Sequence, residues 1–142
     1  MRRTLVCGRC GEALTRPLTI WSTKDPAAPA PVHRDGGALT GPGVAYKSWR
    51  AQQWSSDGTR VPLDFTPQHW VNPADLTESV SPVKDARRLN GCCGLAGMDG
   101  PNQRCRCGAE VGTLRSDCWT DHVFIPEPDA TEWIDAGGSG TS

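Results

Sequence analysis

Short stretches in which apolar and polar residues alternate are the main regularity of this chain, and they predict short strands. Thr4, Leu5 and Val6 lead into a glycine-rich turn, and Leu14, Leu18 and Ile20 lead out, so residues 4–21 read as a hairpin. Pro17, which has no amide hydrogen to donate, places that hairpin at an edge or a bulge. Val61, Leu63 and Phe65 alternate cleanly, as do Val111, Thr113 and Arg115, and then Val123 and Ile125. Each set predicts one strand. Residues 44–57 support two readings: Val44, Tyr46 and Ser48 alternate as in a strand, whereas Trp49 to Trp54 would tolerate a helix. Ser81-Pro82 offers a helix N-cap followed by proline at the first helical position, which predicts two turns over Val83–Leu89, stopped by Asn90-Gly91.

Between these elements, residues 22–43 are rich in proline, alanine and glycine and read as a solvated loop. Gly137 to Ser142 reads as a flexible tail, which leaves residues 1–136 as one domain. Only 37% of the residues are apolar, and 16 glycines and 12 prolines supply few helix or strand formers. Long helices and wide sheets are therefore not expected, and a modest core needs another source of stability.

The seven cysteines are the candidate source. Cys7-Gly8-Arg9-Cys10-Gly11 and Cys105-Arg106-Cys107-Gly108 each bring two thiols close together, with a glycine after the second that permits a tight turn. Four thiolates from two such knuckles are a common way to hold a tetrahedral zinc, which contributes on the order of 10 kcal/mol to folding. Cys7 and Cys10 could instead be a redox pair, but such a pair opens a helix after a strand, and here extended sequence follows. Cys105 and Cys107, if extended, lie about 6.6 Å apart at Cα on one face, so both can reach one ion. The favoured expectation is one Zn2+ on Cys7, Cys10, Cys105 and Cys107.

A second tier comprises Cys92, Cys93, Cys118 and His122. Adjacent Cys92 and Cys93 point to opposite faces of an extended chain, so one metal would take one of them, and a buried free thiol is an equal reading. Cys118 and His122 would be about 13 Å apart in a straight strand and could share an ion only across a turn. Seven cysteines plus His122 still supply enough ligands for two tetrahedral sites, the minority expectation.

The knuckles make the chain similar to a zinc-ribbon protein, although the second has one residue between its cysteines where two are usual. Arg88-Leu89-Asn90-Gly91-Cys92-Cys93-Gly94, Asp99-Gly100-Pro101-Asn102 and Ser116-Asp117-Cys118-Trp119-Thr120-Asp121-His122 resemble segments of a group of small, uncharacterised, cysteine-rich bacterial proteins. That resemblance implies no activity, but it suggests that Cys92, Cys93 and Cys118 matter as a set. The fold expected is small and mostly β, with much irregular loop: a zinc-ribbon-like domain stapled by metal.

Neither a signal-peptide run nor a stretch of roughly 20 apolar residues is present, and the cysteine count is odd; these features predict a cytoplasmic protein without disulfides or membrane contact. Net charge is −1, yet residues 1–60 carry nine Lys/Arg against four acids and residues 61–142 carry six against twelve. Such asymmetry suits either a basic docking face for nucleic acid or two halves that complement each other, and the second is favoured. Six tryptophans against two phenylalanines predict rings that fill an irregular core, with any exposed ones available to a partner. His33 and His69 read as ordinary exposed or packed side chains. No catalytic motif is visible, and an all-thiolate zinc is closed to substrate. A zinc-binding adaptor with a protein partner is thus expected first, nucleic-acid binding second and an enzyme last.

Overall fold

Alternating stretches become strands in the computed structural model, which describes residues 2–29, 31, 33, 36–50, 65–91, 93–97, 100–118 and 120–136. In chain order the strands are β1 (Arg2–Cys7), β2 (Leu18–Ser22), β3 (Val44–Ser48), β4 (Gln68–Val71), β5 (Val80–Pro82), β6 (Gln103–Cys105), β7 (Glu110–Arg115), β8 (Val123–Pro126) and β9 (Thr131–Asp135). They form one sheet in the order β5-β6-β7-β8-β4-β3-β2-β1-β9. The described pairings are antiparallel except β2 with β3, which run parallel. A nine-stranded sheet overturns the expectation against wide sheets. Glycine and proline shorten the strands to three to six residues instead of limiting their number.

Two cores lie on opposite faces of this sheet, as period-two alternation requires. Leu5, Leu14, Leu18, Ala45, Val71, Val111 and Phe124 pack together on one face with Cys7 and Cys105. Tyr46, Trp70, Val123 and Ile125 pack on the other. All four residues of β8 are buried, so that strand is covered on both sides. Its second cover comes partly from the segment read as a solvated loop: Leu39 and Thr40 are buried, and Ala38 bridges to His122. The proline-rich part before it is largely exposed, as expected.

Several local expectations need correction. The hairpin over residues 4–21 forms, with Arg3 opposite Leu18 and Val6 bridging to Ala13. Residues 44–48 are a strand, and the clean alternation of Val61 and Leu63 lies outside the described residues, as does the 137–142 tail. The helix over Val83–Leu89 does not form. Val80 to Pro82 pairs with β6 instead, at an edge where proline is tolerated, and only a single 3-10 turn follows at Ala86–Arg88. Asp85, not Ser81, caps that turn, its carboxylate accepting the Arg87 amide. β9 falls in the acidic stretch after Pro126, for which no strand was expected. It pairs with β1 along five residues, from Arg3–Asp135 to Cys7–Thr131.

Candidate metal centre

Cys7 ends β1 and Cys105 ends β6, strands that stand six places apart in the sheet order. In a flat sheet that separation is about 29 Å at the usual inter-strand spacing. The Sγ atoms of Cys7, Cys10, Cys105 and Cys107 nevertheless all lie within 4.8 Å of one another. The sheet therefore curls until strands near its two ends approach each other, and the four sulfurs sit at that seam.

Each knuckle is a short turn closed by its own backbone. In the first, the Gly11 amide donates to the Cys7 carbonyl at 2.8 Å and the Cys7 amide to Glu12 at 2.9 Å. In the second, the Gly108 amide donates to the Cys105 carbonyl at 2.8 Å and the Cys105 amide to Ala109 at 2.8 Å. Both bonds span one residue fewer, matching the one residue fewer between the cysteines. Cys107 consequently lies in the turn, not on an extended strand beside Cys105 as the spacing had suggested. Gly11 and Gly108 adopt φ of 78° and 98°, the left-handed region that side chains with a Cβ rarely enter.

Cys7 Sγ is 3.7 Å from Cys107 Sγ, and Cys10 Sγ is 3.5 Å from Cys105 Sγ, so each contact crosses from one knuckle to the other. Four thiolates on a tetrahedral ion with bonds of about 2.3 Å would have S···S edges of about 3.8 Å. The arrangement could thus hold a metal ion with little adjustment. Cys7 and Cys105 are buried, Cys107 half-buried and Cys10 exposed. Burial pushes the Cys105 thiol up to about 12, whereas a hydrogen bond from the Ala109 amide draws Cys107 down to about 7. Cys7, Cys10, Cys105 and Cys107 would hold such an ion as thiolates, which requires the proton on Cys105 to leave. Backbone amides of Glu12, Cys107 and Ala109 point at the sulfurs of Cys10, Cys105 and Cys107. Glu12 also joins the knuckles from outside, with Arg106 at 4.0 Å and the Ser79 hydroxyl at 2.8 Å.

A second group, Cys93, Asp117 and Cys118, also has donor atoms close enough to hold an ion. Asp117 was not among the expected ligands, although it sits next to Cys118 in a segment that had been singled out. Cys92 lies outside the described residues. The Thr120 amide does bond back to the Asp117 carbonyl, but His122 joins neither group. Its ring nitrogen Nε2 lies 3.1 Å from the Asp117 carbonyl oxygen, and its amide donates to Gly37.

The remaining candidate side chains divide between core and surface. Trp70 is buried, while Trp21 and Trp133 pack partly against the two cores. Trp49 is exposed and flanked by the ammonium groups of Lys24 and Lys47, 3.8 and 4.9 Å from its ring centre. His33 lies 2.6 Å from Asp121, and His69 packs on Trp133. No helix among the described residues is long and apolar enough to cross a membrane. Compared with protein-family models, with curated proteins and with solved structures, the chain matches none.

Proposed function

We propose that this protein is a zinc-stapled binding module, in which one Zn2+ on Cys7, Cys10, Cys105 and Cys107 closes the curled sheet and an outer surface meets a protein partner. The observation that carries the zinc reading is the convergence of four thiols from opposite ends of the sheet, with S···S separations near those of a tetrahedral thiolate centre. Two glycine-closed knuckles that face each other support reading the centre as zinc-ribbon-like. Four cysteine ligands leave no position for substrate, which favours a structural role over catalysis.

A protein partner is favoured over nucleic acid by the way the basic residues are used. Arg3 faces Asp135, Arg16 bonds the buried Asp75, and Arg106 approaches Glu12, so acids offset several arginines instead of leaving them to phosphate. A shallow groove of about 250 Å³ lies between Phe65, His69, Pro126 and Trp133, with Lys47 and Glu132 also lining it. Aromatic walls with one charge of each sign suit an extended peptide segment.

Native mass spectrometry with elemental analysis tests the zinc reading. One zinc per chain at the four-cysteine centre is expected, lost on chelation or below about pH 5–6 with a marked fall in the midpoint of unfolding. A metal-free preparation that keeps its full melting temperature would refute it.

A further inference from the structure

Outside the four-cysteine centre, Cys93 Sγ and Cys118 Sγ lie only 2.7 Å apart, and both residues are exposed. Backbone and side-chain hydrogen bonds hold the two carrying segments against each other. Asp117 Oδ1 accepts the amides of Cys93 at 2.9 Å and Cys118 at 2.7 Å. The Leu95 carbonyl accepts the amides of Ser116 and Asp117, and the Leu95 amide donates to Ser116 Oγ at 3.0 Å. Gly94 makes this approach sterically feasible, since a Cβ there would stand 2.4 Å from the Ser116 carbonyl oxygen. The closeness of the thiols is therefore a property of the fold around them.

Two chemistries fit paired thiols, and the separation lies between them, nearer the first. A disulfide bond is about 2.05 Å long, whereas two thiolates on one tetrahedral zinc stand about 3.8 Å apart. The pair must close by about 0.7 Å for the first and open by about 1 Å for the second. Among the described residues this group supplies three donors, Cys93, Asp117 and Cys118, where a closed structural zinc takes four.

We propose that Cys93 and Cys118 are a redox-active dithiol that exchanges with a low-molecular-weight disulfide of the glutathione class, while the four-cysteine centre keeps its ion. One thiolate attacks a sulfur of the small disulfide, breaking its S–S bond, forming a mixed disulfide and releasing one small thiol. The second cysteine then attacks the protein-bound sulfur and expels the other small thiol. Two cysteines are oxidised, one small disulfide is reduced to two thiols, and the two protons end on those thiols. The bond clasps residues 93–97 to 116–118, where Gly97 lies close against the side chain of Arg115.

The test is to incubate the zinc-loaded full chain with graded ratios of oxidised to reduced glutathione, followed by intact mass, zinc content and peptide mapping. The expected product is two hydrogens lighter, maps a bond from Cys93 to Cys118, keeps its zinc, and reverts in excess reduced glutathione. Cys118→Ser is expected to stall as a stable glutathione adduct on Cys93. A bond that joins other cysteines, Cys92 included, overturns the proposal, as does the absence of any two-hydrogen loss. It is equally overturned by a second zinc that Cys93→Ser removes, because the pair would then be a metal site. Closure of Cys93 to Cys118 in a chain that binds no zinc would support the dithiol and refute only the zinc reading.

Discussion

Single side chains in this protein are held in states that their type alone would not suggest. Arg115 is fully buried at the end of β7, and burial draws its guanidinium down to about 9, with the Asp121 carboxylate opposing. Strand alternation placed it on the same face as Val111 and Thr113, both fully buried, but an arginine ordinarily argues for solvent. His69 has the clearest consequence in solution. It stands opposite Lys47 on β3 and packs on Trp133, and burial, reinforced by Lys47 and Arg3, lowers it to about 4. In the unfolded chain a histidine titrates near 6.5, so between these values the unfolded state binds more protons and acid favours unfolding. The stability tied to neutral His69 is present above about pH 6.5 and is lost as pH falls through about 4. Allowing for its partial exposure, it amounts to about 2 kcal/mol. Denaturant titrations of wild type and His69→Gln between pH 7 and 4 check this. The wild-type advantage is expected to shrink by that amount, and thiolate protonation, common to both proteins, cancels. A difference that stays flat with pH would remove His69 as the cause.

At the scale of elements, what the sequence revealed and what it hid follow from the range of the interactions. Alternation identified β7 and β8 and the β1–β2 hairpin, because each is a local pattern of burial on one face. β9 escaped notice because its residues are half-buried or exposed, and it is a strand only through its distant partner β1. The knuckles were legible because two thiols and a following glycine sit within five residues, whereas the turn at Cys107 was not, since spacing alone does not distinguish an extended pair from a tight one. Asn102 shows the same limit. In the sequence it stood out only within a segment that resembles other proteins, yet it is fully buried. Its side-chain amide donates to the Leu114 carbonyl at 2.9 Å and accepts the Leu114 amide at 2.7 Å, replacing a strand partner beside the register shift in β6. Asn102→Ala leaves both Leu114 groups without that partner, which costs about 2–3 kcal/mol. Asn102→Asp keeps the acceptor but loses the donor, and is expected to destabilise as well. Thermal unfolding of both variants checks the assignment; an Asn102→Ala protein with unchanged melting temperature would show that the side chain does not serve as a strand edge.

Across the whole molecule, the sheet order and the cysteine geometry constrain each other. The knuckles contribute from positions about 100 residues apart, Cys7 meeting Cys107 and Cys10 meeting Cys105. They bring together ends of the sheet that adjacent pairing alone would leave apart. The buried cluster containing both Cys7 and Cys105 shows that apolar packing reaches the same seam, so a metal held there and the core would act on one closure. If one ion joins the knuckles, the first lost ligand removes most of what the centre contributes, and a second loss from the opposite knuckle adds little. Cys10→Ser, Cys107→Ser and the double variant form a double-mutant cycle that measures this coupling. Each single change is expected to lower zinc retention and stability strongly, by at least about 2–3 kcal/mol where the structural ion is lost. The double variant is expected to fall within about 0.5 kcal/mol of the worse single, far short of the sum that independent sites would give. Wild type in excess chelator should unfold at the same midpoint as the double variant, because both lack the same link. Additive losses, with zinc retained by either single variant at full stoichiometry, would mean that the two knuckles do not share an ion and that apolar packing alone closes the seam.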